Sequence, residues 1–217
     1  MNWVLIHIIY ILITGAIALI CYYFKNNLFI VTKPIPVLGL AIFQIINLLF
    51  FNSSTYLIFI IFISIALFFG MIGDILLVKN KFILGMLSFI VGHIFYIMRF
   101  KQYKWDLPFY IFIIIGIVSI LFGIFITATM QESKKKGLII PVWCYIIIIS
   151  VMLLAAINFE FNIKRGFPYY IIGASLFYIS DAILSIDNLV KEFKISMLFI
   201  LITYYLAQMF ISIGTIL

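Results

Sequence analysis

The stretch LPFYIFIIIGIVSILFGIFITAT, residues Leu107–Thr129, contains no charged residue in 23 positions. A helix rises about 1.5 Å per residue, so a run of this length reaches across the roughly 30 Å hydrocarbon core of a bilayer. It is apolar on all sides, whereas a strand of a membrane barrel alternates apolar and polar residues. Seven further runs read the same way: Trp3–Phe24, Pro34–Phe51, Tyr56–Val78, Phe82–Phe100, Leu138–Asn158, Pro168–Leu189 and Ile195–Ile216. The expected fold is an all-α polytopic transmembrane bundle of eight helices, a single integral membrane domain over residues 1–217.

Composition agrees. The 217 residues are 67% hydrophobic and only 10% charged, with a mean hydropathy of +1.33. Soluble chains carry about a quarter charged residues. The first run lacks a basic leader and is too long for a cleaved signal peptide, so it reads as the first span. Cys21 and Cys144 lie in apolar runs without CxxC spacing, which disfavours redox or zinc chemistry. The net charge of +7 is scattered through short loops, as lipid headgroups favour, and no nucleic-acid partner is expected. The oligomeric state is not encoded in any readable pattern.

Loop charges orient the bundle. Nine basic residues fall on the side opposite the termini: Lys25, Lys33, Lys79, Lys81, Lys134, Lys135, Lys136, Lys191 and Lys194. Five fall on the termini side: Arg99, Lys101, Lys104, Lys164 and Arg165. The positive-inside bias puts the Lys-rich side in the cytoplasm and the termini outside, in a bacterial inner or plasma membrane. Two halves, 1–105 and 106–217, also echo each other. Pro36-Val37 precedes Asp74 as Pro141-Val142 precedes Asp181, and each Asp helix is followed by one with mid-span polar residues, His93 or Gln208. The spacing suggests two parallel four-helix repeats.

An ionised carboxylate inside a bilayer costs several kcal/mol, so Asp74 and Asp181 are read as functional. The rival reading, an Asp that only snorkels or bonds a neighbouring helix, fits Asp187 at its helix end better. Asp106, Glu132, Glu160 and Glu192 are expected in solvated loops. Measured from the Lys-rich side, Asp74 lies under about 10 Å deep and Asp181 about 12 Å. Tyr204, then His93 and Gln208, lie deeper, with Lys33 at the rim. These side chains describe a polar pocket open toward the Lys-rich face, thinning toward the termini side. Tyr96, Tyr145 and Tyr178 are candidate lining residues or interfacial belt tyrosines. Asn47 is a pocket group or interhelical glue. With no GxSxG, HExxH, P-loop or GxGxxG pattern, serine-hydrolase and zinc chemistry are disfavoured, and no metal or cofactor is expected. Acid–base chemistry by two carboxylates, or transport, remains.

Lys33-Pro34, Gly73-Asp74-Ile75-Leu76-Leu77, Gly92-His93-Ile94-Phe95-Tyr96, Gly173 through Asp181, and Tyr204-Tyr205-Leu206-Ala207-Gln208 together resemble the YhhN-type lysoplasmalogenases, in order and over nearly the whole chain. The resemblance implies an eight-helix membrane hydrolase acting on lysoplasmalogen, a vinyl-ether lysophospholipid, to release a fatty aldehyde and glycerophosphocholine or glycerophosphoethanolamine. It also implies that the family's catalytic aspartates fall on Asp74 and Asp181, with Lys33, Tyr204 and Gln208 supporting. A proton- or cation-coupled transporter or lipid-translocating protein using the same Asp pair is the alternative, and a non-enzymatic membrane partner a third. A transporter needs polar groups continuing to both faces.

Overall fold

The computed structural model describes residues 3–50, 54–131, 136–164 and 166–216. Glu132, Lys134, Lys135 and Arg165 therefore lie outside the described residues. Among the described residues, eight helices are long and apolar enough to cross a membrane. They are α1 (Trp3–Tyr23), α2 (Ile35–Phe50), α3 (Ser54–Val78), α4 (Phe82–Phe100), α5 (Phe109–Gln131), α6 (Ile139–Ile163), α7 (Tyr169–Ser185) and α8 (Ser196–Ile216). Each satisfies its backbone hydrogen bonds internally, as lipid surroundings demand.

Successive helices pair along the chain: α3 packs on both α2 and α4, and α7 on α8. α6 lies against both α4 and α7, while α8 also meets α1 and α2, which joins the pairs into one bundle. At two glycines the neighbouring helix's backbone comes close, to the Ala66 carbonyl at Gly92 and to the Ala207 carbonyl at Gly173. A Cβ on Gly92 would stand 3.1 Å from the Ala66 carbonyl oxygen, and one on Gly173 would stand 2.7 Å from Ile211 Cγ1. Small residues let membrane helices approach in this way. α5 is peripheral, with Ile114, Ile117 and Leu121 among its exposed apolar side chains.

Three expectations need correction. The second span begins at Phe29, because the helical turn Phe29–Thr32 runs through Lys33-Pro34 into α2. Proline is tolerated at the first turn of a helix, where no internal bond is lost. Lys33 is consequently buried, 3% exposed, rather than at the rim. The sixth span runs five residues past Asn158. Glu160 is therefore buried, not solvated, and its Oε1 accepts from the Tyr170 N–H at 3.3 Å, one of the orphan donors of the first turn of α7. Arg99, counted as a loop charge, is also buried. Its Nη2 donates to the Tyr170 hydroxyl at 3.0 Å, and its guanidinium lies 4.5 Å from the Phe159 ring centre.

Candidate active site

Asp74, one helical turn before the end of α3, is enclosed from two directions. Lys33 Nζ lies 3.5 Å from Asp74 Oδ1, and the Tyr204 hydroxyl donates to Asp74 Oδ2 at 3.0 Å. Both acid and base are nearly fully buried. Tyr205 donates to the Lys33 carbonyl at 2.9 Å and fixes the turn that carries the lysine. A buried charge needs such a partner and such hydrogen bonds, because desolvation is otherwise unaffordable.

Asp181, near the end of α7, has a different environment. Tyr145 donates a short hydrogen bond to Asp181 Oδ2, and His93 Nε2 stands 3.2 Å from the same oxygen. The Tyr145 hydroxyl and His93 Nε2 are themselves 3.2 Å apart. Both contacts fall on Oδ2. His93 Nδ1 makes no hydrogen bond among the described residues.

The two centres adjoin. The Phe177 ring forms their common wall, edge-on to His93 at 4.7 Å and to Tyr204 at 5.4 Å between ring centres. Phe89 continues the wall against Tyr204 at 5.9 Å. The pairing is crossed along the chain. His93 follows the Asp74 helix but serves Asp181, and Tyr204 follows the Asp181 helix but serves Asp74. Behind Tyr204, Gln208 Oε1 accepts a short hydrogen bond from Tyr96. Gln208 Nε2 and Tyr204 Oη lie side by side over Gly70, each 3.2 Å from where its Cβ would be.

Two cavities of about 10 Å³ each flank Asp181, one toward Tyr178 and Phe122, the other toward Met86, Phe89 and Leu184. Each has room for a single water. The second shares Leu77, Phe82 and Leu184 with a cavity of about 350 Å³ at the Lys-rich end, which reaches Lys33.

Of the candidate residues, Lys33, Asp74, His93, Tyr96, Tyr145, Asp181, Tyr204 and Gln208 form this assembly. Tyr178 borders it, its hydroxyl within 2.9 Å of Ser119 Oγ. Asn47 does not join it: fourteen residues beyond Lys33 in sequence, it lies about 20 Å along the helix axis. Asn47 is buried, with neither amide atom hydrogen-bonded among the described residues. Nor do polar groups thin out toward the termini side. His7, Gln44, Asn47 and Ser212 are buried there, Gln44 donating to Ser212 Oγ at 2.7 Å, alongside Arg99, Asn158 and Glu160. Arg99 and Glu160 were discernible as single charges immediately beside aromatic residues at the ends of apolar runs.

Eight apolar helices enclosing a Lys-paired and a His/Tyr-bonded carboxylate define a multi-pass membrane protein with two buried carboxylates. The sequence signature of the YhhN family matches residues 28–215, and the chain belongs to that family. A relative described as "Lysoplasmalogenase homolog", from Dictyostelium discoideum, is 28% identical over 228 residues, covering 87% of this chain and 74% of its own length. No solved structure matches.

Proposed function

We propose that this protein hydrolyses the vinyl ether bond of lysoplasmalogens, yielding a fatty aldehyde and a glycerophosphodiester such as glycerophosphocholine or glycerophosphoethanolamine. The observation that carries the reading is the unlike pair of adjoining carboxylates: Asp74 held by an ammonium, Asp181 held by His93 and Tyr145 beside water-sized cavities. Family membership and the similarity to a protein named as a lysoplasmalogenase homologue support the same class of reaction.

Vinyl ether cleavage begins with proton transfer to the β-carbon, which converts the C=C–O unit to an oxocarbenium ion. Asp181, protonated on Oδ1, is the acid in this reading. Asp74, kept as a carboxylate by Lys33, stabilises the cation and takes a proton from the attacking water, as paired carboxylates do in glycoside hydrolysis. The hemiacetal then collapses: the C–O bond to glycerol breaks, the glycerol oxygen takes the proton held by Asp74, the hemiacetal hydroxyl gives its proton to Asp181, and the aldehyde leaves with both carboxyls back in their starting states. His93, against Asp181 Oδ2, orients that carboxyl for both transfers. Tyr204 and Gln208 position Asp74 and the water.

The test is aldehyde release from lysoplasmalogen by protein purified in detergent micelles, run in deuterated water. Wild type incorporates one solvent deuteron at the aldehyde α-carbon, and Asp74→Asn and Asp181→Asn are inactive. An inactive wild type, or full activity in both variants, overturns the assignment. The buried groups from Gln208 through Gln44 and Ser212 to Asn47 and His7 favour a second reading, proton- or cation-coupled transport. Proton flux into proteoliposomes, abolished by Gln44→Leu, would select it. We further propose that the Lys-rich end is cytoplasmic and that residues 1–105 and 106–217 are parallel repeats. Labelling of single cysteines introduced at Asn80 and Gln102 from each side tests the orientation.

A further inference from the structure

The cavity of about 350 Å³ above the carboxylates carries charges of both signs. Lys33, Asp187 and Asn188 are all among its lining residues. Asn80 and Phe82 line it as well, at the turn that also bears the exposed Lys79 and Lys81. Asp187 is there because α7 does not end as an α-helix. Residues Ile186–Val190 form a π-helical turn, closed by the Lys191 N–H on the Ile186 carbonyl at 3.0 Å. Such a turn inserts one extra residue and re-aims its side chains, and it recurs at functional sites. Here it brings half-buried Asp187 to the lining of a cavity that Lys33 also lines. Among the described residues, Asp187 Oδ1 accepts from the Phe193 N–H at 3.3 Å. A carboxylate offers about four acceptor sites.

A cavity lined by both a lysine and an aspartate matches a zwitterion. We infer that this cavity is a headgroup site, in which Asp187 binds the primary ammonium of a phosphoethanolamine lipid while the Lys33 side and the Lys79–Lys81 turn face its phosphate. A quaternary ammonium has no N–H to donate to a carboxylate and is the poorer ligand here. The inference rests on the lysolipid reading of the site, and it names the headgroup that reading leaves open.

Three non-hydrolysable 1-O-alkyl lysophospholipids that differ only in headgroup (ethanolamine, choline, and the bare phosphomonoester) test it by titration of tryptophan fluorescence in detergent micelles. Wild type binds the ethanolamine lipid about tenfold more tightly than either other, the scale of one charge-assisted hydrogen bond. Asp187→Asn keeps an acceptor for Phe193 but loses the charge, and the preference falls to about onefold; Asp187→Glu restores it. A preference unchanged in Asp187→Asn, or equal wild-type affinity for all three lipids, overturns the inference. Soluble glycerophosphoethanolamine competing as tightly as the lysolipid overturns the lipid assignment. Aldehyde release from the alkenyl counterparts is read in parallel. Selective binding without aldehyde release sinks the hydrolase and leaves the headgroup site standing, whereas aldehyde release without headgroup selectivity does the reverse.

Discussion

Replacing Lys33 by methionine removes the ammonium 3.5 Å from Asp74 Oδ1 while leaving most of the side chain's volume in place. Two unit charges at that separation attract by about 5 kcal/mol at an effective dielectric constant near 20. Breaking a buried pair by deleting one partner costs about 3–5 kcal/mol, because the survivor is buried without compensation. The lower end applies here, since Tyr204 still donates to the other oxygen of Asp74. About 3 kcal/mol corresponds to a fall in Tm of roughly 6–12 °C for a chain of this size. The double variant Lys33→Met/Asp74→Asn removes both charges and is expected to recover at least half of the loss. The assay is thermal unfolding of purified protein in mild detergent, followed by tryptophan fluorescence. A single variant within about 2 °C of wild type, or a double variant no more stable than the single, refutes the view that this pair is a mutually dependent buried ion pair.

Tyr145→Phe deletes the hydroxyl that donates to Asp181 and is expected to slow aldehyde release about 10–100-fold, the worth of a hydrogen bond to a charged group; kcat in the micellar assay reads it. His93→Phe preserves the ring packing on Phe177 but not the proton-bearing nitrogen, so it lowers kcat while leaving the affinity for an alkyl-ether analogue within about twofold. Gly173→Ala places a methyl 2.7 Å from Ile211 Cγ1 and 3.0 Å from the Ala207 carbonyl oxygen, and overpacking of this kind costs about 1–3 kcal/mol; a lowered Tm with unchanged composition of the micelle checks it.

The eight spans were legible because a bilayer imposes length and uniform apolarity, and both are local properties of the chain. Asp74 and Asp181 were legible for the same reason, as polar exceptions in runs that tolerate few. The partners were less so. His93 was expected beside the Asp74 helix, and α3 and α4 do pack together, yet its ring turns to Asp181. Which face of a helix meets which neighbour depends on the rotation of all eight helices about their axes. Spacing along one helix does not determine that. The burial of Lys33 and Glu160 escaped notice because helix ends were read from the limits of apolar runs. Both helices continue past those limits, where the Asp74 carboxylate pairs with the Lys33 ammonium and the Tyr170 N–H donates to Glu160.

The crossed arrangement of the two carboxylates has a bearing on how the chain is made. Asp74 and the hydroxyl that holds it are 130 residues apart. At a synthesis rate of about 5–20 residues per second, Asp74 waits on the order of ten seconds for Tyr204 to be made. Until then Lys33 is the partner available to it, whereas Asp181 is made after His93 and Tyr145. A nascent chain that stalls before α8 therefore leaves Asp74 without its hydroxyl partner.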